Sequence, residues 1–311
     1  VKATLFLLSQ FLLISLSAQI CPYPEESYYK YVISALAHDS MEGRLPGTSQ
    51  EKKAAVFIEN EFKKTKCIPV KKKQYAFPFD YKNPDSLVVH SAGNVVAKIE
   101  TKSEYCIVVS AHYDHIGWGK HHSNEPFAKK IHNGADDNAS GVAMLLSLAG
   151  WYSTHRDSLQ YDIVFVAFSG EEDGLFGAKE FLKSGIIDTS RIVCNINLDM
   201  VGHLDLTRPI LMAESATLFN QWDSILPAGT NNTFIVEKSG SLFKDGADHN
   251  VFLSAGIPGI LFSTGLTQHY HRASDDETTI NYQGMIAINQ FIIASITNVQ
   301  RRKLAYEWQR L

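Results

Sequence analysis

YCIVVSAH, residues 105–112, decides the fold. It is an unbroken apolar run of strand length that ends in an imidazole. A strand with one face in water alternates apolar and polar residues, whereas a strand covered on both faces does not. The same signature recurs at YDIVFVAFS (161–169), RIVCNINLDM (191–200) and PGILFS (258–263). Between these runs the apolar spacing turns helical, across 139–153, 174–184 and DHNVFLSAG (248–256). Strands PILMA (209–213) and TFIVE (233–237) flank a helix over 215–226, and a closing helix runs from about Tyr282 to Arg302. Alternation of this kind predicts an α/β fold with a mixed, mostly parallel central sheet flanked by helices. Upstream, YYKYVISALAHDSM (28–41) and EKKAAVFIENEFKKTK (51–66) read as helices around a Gly- and Pro-rich turn, EGRLPGTSQ (42–50). SLVVHSAGNVVAKIE (86–100) reads as a hairpin at the sheet edge. No repeat or linker interrupts the pattern, so residues 19–311 are expected to form one domain, with 19–67 as a helical region packed on the sheet.

The chain has 311 residues, of which 45% are hydrophobic and 20% charged, ordinary values for a globular protein. A net charge of −4 lacks the basic footprint of a nucleic-acid-binding protein. Residues 1–18 carry Lys2, an apolar run to Leu16 and then small residues, the layout of a signal peptide. The run falls short of the ~20 residues of a membrane span. Cleavage is expected near Ala18 and Gln19, giving an exported, periplasmic or extracellular protein without stable membrane insertion. Ile20 is bulky for a lipidation signal at Cys21. Cys106 and Cys194 sit in apolar strands and read as buried thiols, while a Cys21–Cys67 bridge is left open.

Open α/β sheets bind ligands beyond the carboxyl ends of their strands, and there this chain places its unusual residues. Strand 105–111 runs into His112-Tyr113-Asp114, strand 161–169 into Gly170-Glu171-Glu172, and strand 191–198 into Asp199. HNGADDNASG (132–141) sets Asp136 and Asp137 together at a helix start, and QHYHRASDDETT follows strand 258–263. Each feature alone has an everyday explanation, such as a polar strand end, a turn with an N-cap, or acids offsetting a helix dipole. Their ordered recurrence at strand ends points to metal chemistry. Carboxylates and imidazoles crowded into one crevice raise one another's pKa unless a cation neutralises them. Zinc takes both donor types, and two ions ~3.5–4 Å apart can share a carboxylate and activate one water. One Asp of the pair then bridges while the other holds the loop. Asp114 is placed to accept from His112, and one of Glu171 and Glu172 is free to act as general base.

The segments SAHYDH, NGADDNASGVAMLL, FSGEEDGLFGAKEF, NLDMVG and YHRASDD resemble, in order, those of secreted zinc-dependent aminopeptidases of the bacterial leucyl aminopeptidase and glutaminyl cyclase-like superfamily. LAHDSMEGRLPGTSQEKKAAVFIENEF also looks like the N-terminal region of bacterial members. The resemblance implies two zinc ions bridged by Asp137, with His112 and Asp199 completing one site and Glu172 and His271 the other. It implies Glu171 as general base, Tyr270 as a hydrogen-bond donor to the oxyanion, Asp114 as the residue orienting His112, and a cis peptide bond at Asp137–Asn138. Peptides with a free N-terminus would be the substrates. Asp275-Asp276 stands where relatives often show Asp-Thr, a change expected to affect the rim only. Asp248 in GADHNVF is expected to line the site, with no role assigned. The Asp-Asp-Asn-Ala-Ser-Gly loop favours the two-metal peptidase over the one-zinc cyclase. Only 71 residues separate Asp199 from His271, too few for the lid domain of ~100 residues that related carboxypeptidases insert. A metal-free binding protein would not be expected to keep every ligand and base position filled. Side-chain preference and oligomeric state are not legible.

Overall fold

The computed structural model describes residues 25–84, 87–119, 121–215, 222–227, 233–239 and 246–302. The expected signal segment, Cys21 and residues 216–221 of the expected helix over 215–226 lie outside these residues.

Among the described residues, nine strands form one mixed sheet in the order β1-β3-β5-β4-β6-β9-β7-β8, with β2 paired to β3 alone. Its middle is parallel: β4 (Cys106–His112) lies between β5 (Asp162–Phe168) and β6 (Ile192–Leu198), and β6 pairs with β9 (Gly259–Ser263). Every residue of these four strands is buried, as their unbroken apolar runs require. The margins are partly antiparallel. β3 (Val89–Ile99) runs against β5, β1 (Ile68–Pro69) and β2 (Ala76–Lys82). On the other side, β7 (Ile210–Glu214) is antiparallel to β9 and parallel to β8 (Ile235–Ser239).

The edge hairpin differs from the reading of residues 86–100 as a self-contained pair. Val89–Ile99 is a single strand, and its partner is Ala76–Lys82. Gly93 is not a turn residue. It sits in the strand opposite Pro78. The reversal falls instead between Lys82 and Val89, where Asn83 and Pro84 supply turn chemistry.

Helices cover both faces. One face packs on α1 (Glu26–Leu36), α2 (Ser49–Lys64), α3 (Gly141–Thr154) and the closing helix α6 (Tyr282–Gln300). The other packs on α4 (Phe176–Lys183) and α5 (His249–Ser254) through Ala178, Phe181 and Phe252. Helix α2 starts where Thr48 accepts from the Glu51 N–H at 3.2 Å, and Ala54, Ile58 and Phe62 form its buried stripe. Helix α3 is apolar nearly all round because it is buried nearly all round. This places the carboxyl ends of β4, β5, β6 and β9 side by side at one rim. No helix among the described residues is long and apolar enough to cross a membrane.

Leu146 lies fully buried in the middle of α3, among the larger of the two cores. Leu146→Ala is expected to cost ~2–5 kcal/mol, read from the urea midpoint, with bound metal unchanged.

Candidate metal centre

The rim collects the residues that the strand ends single out. His112 closes β4, Asp199 follows β6, and Glu171 and Glu172 follow β5. Asp137 stands in the turn that opens α3, and His271 in the loop after β9. His112 Nε2 lies 3.3 Å from Asp137 Oδ1 and 3.4 Å from Asp199 Oδ1. His271 Nε2 lies 3.3 Å from Asp137 Oδ2 and 3.0 Å from Glu172 Oε2. The two oxygens of Asp137 therefore face two different donor groups.

The donor set fits zinc. Ligand atoms each ~2.0–2.1 Å from a tetrahedral ion stand about 3.3 Å apart, close to these separations. Donor atoms of His112, Glu171 and Asp199 also converge within 4.8 Å, as do those of His115, Asp137 and Glu172. The electrostatics agree. Asp114, Asp136, Asp137, Asp248 and Asp275 are all buried here, with Glu171, Glu172 and Asp199 partly so. Burial, reinforced by Asp248, Glu172 and Asp199, holds the Glu171 carboxyl well above its usual range against the pull of His112. Burial pushes Asp248 up to about 8. Asp137 resists its burial and stays well below the usual range because His112, His271 and His115 surround it. The two buried oxygens of Asp248 have no hydrogen-bond partner. Such a concentration of acid calls for added positive charge.

Each group is held by its neighbours. The His112 Nδ1 is 3.2 Å from the Asp114 backbone carbonyl and 3.7 Å from the Asp114 carboxylate, which leaves Nε2 to face the acids. The Asp114 carboxylate also accepts from the N–H groups of Glu171 and Glu172, at 3.3 and 3.4 Å. Thus Asp114 orients the acids after β5 as well as the imidazole after β4. Asp136 turns away from the donor groups and accepts from Gly202 N–H at 2.8 Å and Ser140 Oγ at 3.3 Å. That is why the loop carries two acids: one faces the donors and its neighbour ties the turn down. The Asp137–Asn138 peptide bond is cis, as the resemblance implies. Gly134 makes the turn feasible, with φ +62 and a Cβ position 2.3 Å from the Asp137 carbonyl. The Tyr270 ring stacks on His271 with centroids 3.9 Å apart.

Several important residues are missing from the sequence reading. His115 is buried against Glu172, its Nδ1 2.7 Å from Oε1. The H-x-D-H spacing contains it, but nothing in that spacing says which way its ring points. Asp275 corrects the expectation that the Asp275-Asp276 segment touches only the rim. Asp276 does sit at the edge, capping a short turn, but Asp275 is buried and accepts from the Asp136 and Asp137 N–H groups at 2.8 and 3.0 Å. Arg44 is fully buried and donates to the carbonyls of Leu36, Tyr113, Asn133 and Gly134 at 2.6–2.9 Å. It fastens the N-terminal turn to the Asp137 loop. A strap at residues 122–125 holds the His271 loop. The His122 carbonyl accepts from His271 Nδ1 at 2.7 Å, Asn124 donates to the His271 and Tyr270 carbonyls, and Glu125 accepts from the Ala273 N–H. His271 itself has φ +53, a conformation that needs such support.

The model of Peptidase family M28 matches residues 94–296, well over half of the sequence. The chain belongs to peptidase family M28. Among its relatives, a probable zinc metalloprotease of Pyrenophora tritici-repentis is 30% identical over 161 residues, 42% of this chain and 37% of that protein. A probable leucine aminopeptidase of Arthroderma benhamiae is 27% identical over 169 residues, 53% of this chain and 44% of that one. The matched stretch is less than half the length of each. Family M28 membership also accords with the fold. A leucine aminopeptidase precursor from Bacteroides thetaiotaomicron superposes with a TM-score of 0.73 at 19% identity, covering 89% of this chain and 98% of that one. Porphyromonas gingivalis glutaminyl cyclase superposes with 0.71 at 19% identity, covering 88% and 97%. Likeness at this identity establishes the shared fold.

Two outcomes are expected. In metal-free protein His271 is raised from 6.5 to about 11, because Glu172 and Asp137 outweigh its burial, and Asp248 is raised from 3.8 to about 8. Both raised groups favour folding below their unfolded pKa and lose that stabilisation as pH climbs toward the folded value. Thermal stability of the metal-free protein should therefore fall between pH 6.5 and 8, and added zinc should reverse the trend. Asn124→Ala, by loosening the His271 loop, should weaken zinc binding by about 10–100-fold in chelator competition, leaving the fold intact by circular dichroism.

Proposed function

We propose that this chain is a zinc-dependent aminopeptidase that removes N-terminal residues from peptides. The observation that carries the reading is the division of Asp137, with Oδ1 toward His112 and Oδ2 toward His271. Zinc held by His112, Asp137 and Asp199, and by Asp137, Glu172 and His271, would polarise the scissile carbonyl and make water a competent nucleophile at neutral pH. Glu171 stands with His112 and Asp199 and is the base. It takes one proton as the water oxygen bonds to the carbonyl carbon, then delivers it to the departing amine nitrogen as the C–N bond breaks. Asp114 fixes the backbone of Glu171 and so the aim of its carboxylate. The Tyr270 hydroxyl donates to the oxyanion, and site carboxylates receive the substrate's ammonium group. The N-terminal residue leaves as a free amino acid and the peptide is shortened by one. Residues 1–18, with a charge ahead of an apolar run, support export of the enzyme.

The glutaminyl cyclase neighbours share the fold, and the products separate the two chemistries. Zinc-loaded protein given peptides with N-terminal Gln and other residues should release free amino acids. Pyroglutamyl peptides with no free amino acid would replace the peptidase reading by the cyclase one. Glu171→Gln should keep its zinc and melting temperature while kcat falls by about 10²–10⁴-fold. Near-normal turnover in that variant would remove Glu171 from the mechanism.

A further inference from the structure

A recess of about 340 Å³ shares His115 and Glu172 with the candidate metal centre. Its apolar lining is Leu45 and Pro46 from the N-terminal turn, and Ile116 and Trp118 from the segment after β4. These two segments are joined. Arg44 bonds the turn to the Asp137 loop, and the Trp118 indole N–H donates to Glu42 at 3.4 Å. Their backbones touch as well, since a Cβ on Gly43 would stand 2.7 Å from the Gly117 carbonyl. Rings furnish much of the remaining lining. His90, bonded through Nδ1 to the Pro46 carbonyl at 2.8 Å, lies near Tyr81, and the Tyr81 hydroxyl donates to Asp173. His122 approaches Asp173 at 4.0 Å. Trp118 and Leu45 are 53% and 37% exposed, so apolar surface beside the centre is left for something to cover.

We propose that this recess receives an aromatic side chain of the substrate's N-terminal residue, making the enzyme selective for peptides that begin with Phe, Tyr or Trp. The inference rests on the aminopeptidase reading above. An enzyme that removes one residue needs a recess for that residue's side chain, one carbon from the reacting carbonyl, while the rest of the peptide leaves by the open side. The recess borders the centre at Glu172 and at His115, whose Nδ1 lies 2.7 Å from Glu172. Its volume suits a large group, and a lining of indole and imidazole rings favours a flat ring over a branched aliphatic one. Aromatic pairing beyond simple burial is worth about two- to tenfold in affinity. The N-terminal turn is thereby a specificity element rather than a leader to the domain.

The test compares kcat/KM for otherwise identical peptides starting with Phe, Leu or Ala, together with calorimetric binding of the uncleavable amino alcohols L-phenylalaninol, L-leucinol and L-alaninol to zinc-loaded protein. Phe should exceed Leu by about two- to tenfold and Ala by about 10–200-fold, with the alcohols in the same order. Trp118→Ala and Leu45→Ala should each bring the Phe-to-Leu ratio near one. Ile235→Ala, on an exposed strand outside the recess, should leave the ratio unchanged. Leu equal to or better than Phe in the wild-type protein, or equal losses for all three in the variants, would overturn the proposal. If no peptide is cleaved but L-phenylalaninol binds in a Trp118-dependent way, the recess stands and the aminopeptidase reading fails.

Discussion

A buried carboxylate shared between two imidazole groups is the constraint that organises this molecule. Asp137 is almost without solvent, and each of its oxygens faces a different ring. A charge in that position is costly unless hydrogen bonds and opposite charge surround it. The neighbourhood supplies both. Asp275 accepts the backbone N–H groups of the turn, Asn138 bonds to the Leu198 carbonyl at 2.9 Å, and Arg44 grips the carbonyls on the turn's upstream side. The turn is thus tied to the loop after β9, to the end of β6 and to the N-terminal segment at once.

The sheet makes this convergence feasible. Four parallel strands end at one rim, so residues distant in the chain arrive within a few ångströms of one another. Antiparallel margins and helical layers leave that rim uncovered while burying the strands beneath it. The 122–125 strap and the N-terminal turn then add what the sheet lacks, one supporting His271 and the other walling the recess beside it. Loops carry the donor groups here because strands cannot bend to bring donors together, yet these loops are anchored by side chains from elsewhere rather than left free.

Much of this was legible because burial and chemistry leave local marks. The runs ending at His112, Glu171 and Asp199 announce buried strands and acidic or imidazole-bearing ends together, and paired acids before α3 ask for an explanation at once. What escaped was set by distance. Arg44 reads as one polar residue in a Gly- and Pro-rich turn, and its partners lie up to 90 residues away. Asp275 looks like a loop acid because the N–H groups it accepts belong to the α3 turn. His115 is one histidine among twelve until the fold turns it toward Glu172. The edge hairpin differs because residues 86–100 do not show locally that the partner of Val89–Ile99 is Ala76–Lys82, which lies before them.

On the proposed reading, Asp137 joins two cations. Diffraction from zinc-loaded crystals at the zinc absorption edge would decide this. Two anomalous peaks are expected about 3.5–4 Å apart, one beside each Asp137 oxygen, with His112 and Asp199 around the first and His271 and Glu172 around the second. A single peak at full zinc occupancy, or Asp137 bound through one oxygen alone, would contradict it.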